Sequence, residues 1–204
     1  MQWVLALARD RSAGGIAVKT TKLGYFAEFL LFPPLVLIST ALAFHSSSPP
    51  SPVTWAAVYG LGLAGWTLLE YFLHRFIFHH APFLSRLHER HHNNPQELMG
   101  TPVWASVSLG LIGVASLSWV ILGFNLATAA TAGMATGYLW YVFVHHTTHH
   151  WQPRPGSYLY RVRLRHAQHH YMSDSGNFGV TSGAWDFVFG TALELRRPAR
   201  RSEP

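Results

Sequence analysis

Apolar and polar positions fall along this chain in long blocks, not in the short alternation of strands. Four apolar blocks, at about 23–44, 53–73, 102–122 and 126–144, each approach the ~20 residues that cross a hydrocarbon core. Each is read as a helix, because backbone groups in lipid must be satisfied within the segment itself. The polar, Pro-rich stretch HSSSPPSP (45–52) turns the chain between the first two blocks, and Gly123-Phe124-Asn125 turns it tightly between the last two. The paired Pro33-Pro34 is expected to kink the first helix. Glu28 is expected to snorkel from that helix towards its basic end. Gly, Ala, Ser and Thr crowd the third and fourth blocks, a composition that suits close helix packing. The intervening 74–100 is polar and histidine-rich, with Pro95 stopping its helix near Asn94. After the loop WQPRPGS (151–157), residues 158–172 read as a basic amphipathic helix, and 173–194 as a polar turn running into an aromatic stretch. The expected fold class is all-α: an integral membrane four-helix bundle over 23–194. An interfacial or cytoplasmic segment (1–22) precedes it and a basic tail (195–204) follows. The opening MQWVLALA is too short for a signal-peptide core and has no positive region before it.

Composition agrees with the pattern. Charged residues make up 12% of the 204 and hydrophobic residues 49%, against roughly 25% charged in an ordinary soluble domain. There is no cysteine, which excludes disulfides, cysteine-held iron–sulfur clusters and thiolate haem. The net charge of +6 could suggest nucleic acid, but its placement suggests otherwise. All 15 Lys and Arg lie in 1–22, 74–100 or 151–204, and none in the turns 45–52 and 123–125. By the positive-inside rule both termini and the polar segments are cytoplasmic, in a bacterial inner membrane or the endoplasmic reticulum. The basic residues are thus assigned to membrane orientation and anionic headgroups, with no nucleic-acid partner.

The candidate chemistry lies at the cytoplasmic ends of the apolar blocks. His74 and His79 (HxxxxH) close the second block. His88, His91 and His92 (HxxHH) follow, then His145 and His149 (HxxxH), then His166, His169 and His170 (HxxHH). On a helix, i, i+3 and i+4 share a face, so each HxxHH box is expected to point at one place. His74 and His79 fall on different sides of an ideal helix, so a bend or helix end is expected between them. Ten imidazoles are too many for one metal and suffice for two with four or five nitrogens each. Iron suits imidazole and oxygen chemistry, and copper and zinc suit the same ligands. Glu70, one turn before His74 inside an apolar block, and Asp174 and Asp186 after the last box, are candidate partners for the far nitrogens of ligating rings. The doublet partners His80, His146 and His150 point about 100° away from their neighbours and are read as non-ligands. His45 is read as surface. GLGLAG (60–65) is a poor dinucleotide fingerprint because it sits in an apolar block.

The boxes and the text around them, HRFIFHH, LHERHHNNP, GYLWYVFVHHTTHH and RHAQHHYMSDSGNFGVTSGAWDFVFGT, resemble the fatty acid hydroxylase superfamily of membrane di-iron enzymes, most of all its fatty acid 2-hydroxylase branch. The likeness covers about 65–191. It implies a four-span bundle under a cytoplasmic histidine-rich cap. It also implies two iron ions on the ten box histidines (zinc possible after purification), and O2-dependent hydroxylation of an unactivated C–H bond of a fatty acyl chain, at C2. Trp104, Trp140 and Tyr141 are candidate neighbours of that membrane lipid substrate. No cytochrome b5-like segment accompanies these boxes, so the expected electron donor is a separate cytochrome b5-like protein or ferredoxin. Hydroxylation or desaturation of sterols or carotenoids is the alternative within the superfamily. From another class, the alternatives are a metal transporter or a homologue that has lost catalysis.

Overall fold

The computed structural model describes residues 22–194, and every regular element among them is helical. The interfacial reading of 1–22 lies outside the described residues except for Lys22, and the tail 195–204 lies outside them entirely. Helix α1 (Lys22–Phe44) runs through Pro33 and Pro34 without a break. Its buried residues Tyr25, Glu28, Phe32, Ser39 and Ala43 recur at three-, four- and seven-residue steps, which line one face. Leu23, Leu30, Leu37 and Ile38 stand exposed. Helix α2 (Pro52–Phe72) opens with Pro at N1 and the Ser51 hydroxyl accepting the Thr54 N–H. It continues directly into a π-helical turn, Leu73–Phe78. Then come α3 (Pro82–Asn93) and the apolar run Val103–Leu122. That run is built from α4 (Val103–Ser108), a π-helical stretch (Leu109–Ala115) and α5 (Ser116–Leu122).

Gly123, at φ 74°, makes the whole turn into α6 (Phe124–His150), so the expected three-residue turn is shorter by two. Helix α6 is the centre of the molecule and packs against α1, α2, α5 and α7. Its buried Ala127, Ala129, Ala132, Gly133 and Gly137 let neighbouring backbones close in. A Cβ at Gly133 would collide with the Tyr59 carbonyl of α2, and one at Gly62 with the Ala130 carbonyl of α6. Among the described residues, three helical segments are long and apolar enough to cross a membrane: Lys22–Phe44, Pro52–Phe78 and Val103–Leu122. Helix α6 has 27 residues, about 40 Å of helix, but its Ala, Thr and Gly make it less apolar, as befits a helix that faces other helices.

The remaining elements gather at one end. They are α3, α7 (Tyr158–Tyr171), the loop 173–183 and the short α8 (Ala184–Val188). Glu28 does not snorkel. It is buried, and its Oε1 accepts the hydroxyls of Ser106 (2.8 Å) and Tyr138, because two helices offer it donors that water would otherwise supply.

Candidate metal centre

The π-helical turn decides the first box. Its backbone pattern closes on the fifth residue instead of the fourth, so residues five apart come to lie above one another. His74 and His79 therefore share a side, with rings stacked 5.4 Å apart. No helix end falls between them, and the extra residue per turn brings the two rings to one side.

The boxes then divide between two groups. His74, His79, His88, His92 and His169 form the first, and His91, His145, His149 and His166 the second. Within each group the ligand atoms all lie within 4.8 Å of one another. His170 adjoins the second group, its Nε2 3.1 Å from that of His166, while its ring stacks on His92 at 4.1 Å. Neither HxxHH box points at one place, contrary to the sequence expectation. On α3, the i and i+4 members (His88, His92) join the first group and the i+3 member (His91) the second. On α7 the division is reversed, with His166 and His170 beside the second group and His169 in the first. Positions i and i+4 differ by about 40° around a helix and i+3 falls to the other side of i. A helix lying between two sites therefore splits its box between them.

The nitrogens inside each group are spaced for a metal. Nε2 atoms approach at 3.1 Å (His74–His88), 3.0 Å (His88–His92) and 3.3 Å (His79–His169) in the first group. In the second they approach at 3.1 Å (His91–His145) and 2.8 Å (His149–His166). Metal–imidazole bonds of about 2.1 Å put neighbouring nitrogens about 3.0 Å apart in an octahedron and about 3.4 Å in a tetrahedron. Tautomers sharpen the point. His74 Nδ1–H donates to the Phe178 carbonyl (2.6 Å) and His169 Nδ1–H to the Gly176 carbonyl (2.8 Å). A carbonyl only accepts, so in the neutral ring both Nε2 atoms carry inward lone pairs. Lone pairs aimed inward at this spacing suit a shared cation. Burial first, then neighbouring imidazoles, push His91 down to about 4 and His92 to about 3. These rings are neutral at pH 7, the form that binds metal.

The carbonyls that orient His74 and His169 come from the loop after α7, and that loop is held by the acids. Glu70 accepts the Thr181 N–H (2.8 Å) and hydroxyl (2.6 Å). Asp186 accepts the N–H groups of Phe178 (2.8 Å) and Gly179 (2.9 Å), the Thr191 hydroxyl (2.8 Å) and the Arg165 guanidinium (3.0 Å). Asp186 thus acts at one remove, because its Gly179 N–H bond fixes the peptide whose carbonyl faces His74, and Glu70 fastens the same loop further on, at Thr181. Asp174 stands exposed beside His79, His92 and His170 at the rim of an open polar basin.

A second, partly enclosed cavity is lined by His74, His88, His91 and His145 together with Phe78, Leu84, Leu87, Val142, Tyr25 and Glu28. Tyr141 lines it, whereas Trp104 (64% exposed) and Trp140 (45%) stand on the outer surface.

A family model described as fatty acid hydroxylase matches residues 59–191, well over half of the chain. The chain belongs to the fatty acid hydroxylase family. It is 34% identical over 162 residues to the dihydroceramide fatty acyl 2-hydroxylase FAH2 of Arabidopsis thaliana, covering 71% of this chain and 64% of that one. It is 34% identical over 148 residues to the fatty acid 2-hydroxylase of Rattus norvegicus, covering 67% and 39%. The chain therefore spans less than two thirds of the length of these relatives. The solved structure of full-length scs7p, in which only the hydroxylase domain is visible, superposes with a TM-score of 0.75 at 28% identity, over 86% of this chain and 69% of that one.

Sequence reasoning missed the residues that shape the loop. Asn177, at φ 56° and buried, donates through Nδ2 to the Arg165 carbonyl (3.2 Å) and Gln168 Oε1 (3.1 Å), and its Oδ1 accepts the Leu193 N–H (3.0 Å). Asn tolerates this left-handed backbone better than most residues. The signal was present in NFGVTSGAWDFVFGT, where polar side chains sit among apolar ones, but their partners lie in other segments. Of the doublet partners, His80 Nδ1 meets the Arg75 carbonyl at 3.1 Å, and His146 Nδ1 meets the Tyr25 hydroxyl at 2.9 Å. His150 rests 4.6 Å from the His146 ring, and His45 Nδ1 meets the Ala41 carbonyl at 2.9 Å at the end of α1.

Proposed function

We propose that this chain is an O2-dependent di-iron hydroxylase that inserts a hydroxyl into a fatty acyl chain, at C2. The observation that carries the reading is the juxtaposition of two imidazole groups at metal-ligand spacing with the inner end of an apolar-walled cavity. The relatives' names give the same chemistry for the longer proteins. The ten ligands proposed are His74, His79, His88, His92 and His169 for one ion, and His91, His145, His149, His166 and His170 for the other. Iron bound there would supply reductive activation of O2. Overall, R–H, O2, two electrons and two protons give R–OH and water.

The chain's own residues do the rest. Phe178 and Gly176 carbonyls hold two rings in the ligating tautomer, and Glu70 and Asp186 hold those carbonyls in place. Phe78, Leu84, Leu87 and Val142 seat the acyl chain and exclude water from the reacting carbon. Electrons come from a redox protein or domain of cytochrome b5 or ferredoxin type, by way of the open basin bordered by His79, His92 and His170. The apolar length of three helices and the 27 residues of α6 support four spans, with both termini and the metals on the cytoplasmic side.

Comparative lipidomics tests the reading. Cells carrying the chain should gain an acyl lipid heavier by one oxygen, oxygenated at C2, and a His169→Ala control should not. A product lighter by two hydrogens, or an oxygenated sterol or carotenoid, would replace the reaction or the substrate. No change with iron and a reductant supplied would overturn the reading.

A further inference from the structure

One helix of the cap lies deeper than the rest. The Trp185 indole N–H of α8 donates to the Thr67 hydroxyl of α2 (2.9 Å), and Phe189 stacks on Tyr71 at 5.1 Å. Thr67 and Tyr71 belong to the segment Pro52–Phe78, which is long and apolar enough to cross a membrane. Thr67 follows Pro52 by 15 residues, about 22 Å of helix, which falls short of the ~30 Å of hydrocarbon such a segment spans. Helix α8 therefore packs at the depth of acyl chains.

Its surface suits that depth. Phe187 is 83% exposed and Val188 62%, and Phe189 continues the face to the exposed Phe72 and Phe76. From Ser175 to Leu193 the one charged residue is Asp186, and it is fully buried. The other cap helices instead carry Arg86, Glu89 and Arg90 on α3 and Arg161 and Arg163 on α7. The backbone of the α8 segment is also closed on itself. The N–H groups of Phe187, Phe189, Gly190, Thr191 and Ala192 reach carbonyls within 183–187 at 2.7–3.3 Å, as backbone facing lipid requires. Asp186, the neighbour of the exposed Phe187, accepts the N–H groups of Phe178 and Gly179 and so fixes the peptide whose carbonyl orients His74.

We propose that α8 is a foot by which the cap stands in the membrane. Phe187, Val188 and Phe189 lie among phospholipid acyl chains of the leaflet nearest the histidines, and that contact steadies the loop that orients His74. An uncharged, apolar face continuous with a spanning helix fits lipid better than a charged protein partner.

The chain has no cysteine, so Phe187→Cys and Arg161→Cys each offer a fluorophore one site. The full metal-loaded chain, one copy per lipid nanodisc, would be quenched by bromine-bearing acyl chains and by iodide in water. The ratio of lipid to iodide quenching should be at least about tenfold higher at 187 than at 161. Equal ratios, or a label at 187 shielded from both quenchers, would overturn the lipid contact. Phe187→Asp should release the first-group metal to a chelator roughly tenfold faster and leave the second-group metal unchanged, whereas Phe187→Leu should keep the parent's rates. Unchanged release from Phe187→Asp, or equal acceleration for both groups, would overturn the steadying of the loop. Quenching needs no turnover, so failure of the lipid contact and failure of the hydroxylase reading are told apart.

Discussion

The two imidazole groups draw on the same two helices, α3 and α7, yet their outer nitrogens are held in different ways. In the first group His74 and His169 donate from Nδ1 to the Phe178 and Gly176 carbonyls. In the second, His91 and His166 bury Nδ1 without a partner among the described residues, as does the adjoining His170. Two rings of the first group, His74 and His169, are thus oriented by a loop that Glu70 and Asp186 fasten to α2 and α8. The second is oriented by ring against ring, as in the 4.6 Å edge-to-face contact of His91 with His149. A ring pinned at its far nitrogen cannot swivel, so its near nitrogen meets a metal with little rearrangement. A ring held only by its neighbours keeps its direction only while the neighbours keep theirs. The first group should therefore respond to changes far away in the loop, and the second to changes in the rings themselves.

The largest expected effect breaks the groups one at a time. His169→Ala should lose the first-group metal and His149→Ala the second-group metal, each with more than a hundredfold loss of hydroxylated lipid, on the order of what outer-partner loss costs at its worst. Metal per chain by mass spectrometry checks this. If either variant loses both metals outright, the groups are not separable and the comparison fails.

Asp186→Ala comes next. It strips acceptors from Phe178, Gly179 and Thr191 and leaves Arg165 without its carboxylate, at a cost of about 3 kcal/mol. Thermal unfolding in detergent should show the loss, and the first-group metal should leave before the second. Equal retention of both metals would sever the loop from the first group.

Gly133→Ala acts between the groups. Its Cβ would drive α6 from the Tyr59 carbonyl of α2, costing about 1–3 kcal/mol of overpacking. Because α2 leads to His74 and α6 carries His145 and His149, both metals should weaken together. A selective loss of one would contradict the shared packing.

The smallest effect belongs to Glu70→Gln, which leaves Thr181 one good acceptor instead of two, at about 1 kcal/mol. Affinity for the first metal should fall roughly tenfold with the second unchanged. Metal titration of the stripped protein reads it directly, and identical curves for the variant and the parent would remove Glu70 from the loop's support.

Much of this was legible beforehand. The apolar blocks marked the long helices, and the boxes marked which histidines to watch. Three of the misread details share a cause. The HxxHH boxes were assigned to one place each because helical spacing says only which side chains lie near one another around an axis. His74 and His79 were separated because an α-helical wheel was applied to a segment that winds as π-helix. Glu28 was sent to the surface because its donors, Ser106 and Tyr138, lie 78 and 110 residues away. Asn177 escaped notice for the same reason in miniature, since its role depends on α7 and on the strand of chain near Leu193.

The amino-acid sequence by itself determined the helical class, the membrane character and the ten candidate nitrogens. Those follow from local properties, namely the length of apolar runs, the absence of cysteine and the angular spacing of residues on a helix. Only the tertiary structure decided how the ten imidazoles divide, which rings are pinned by carbonyls and which acid faces the cavity. Spacing fixes an angle about a helix axis. Where that axis lies against the others is settled by packing, here by the close approach of α2 and α6 and by the loop that Asp186 folds beneath the rings.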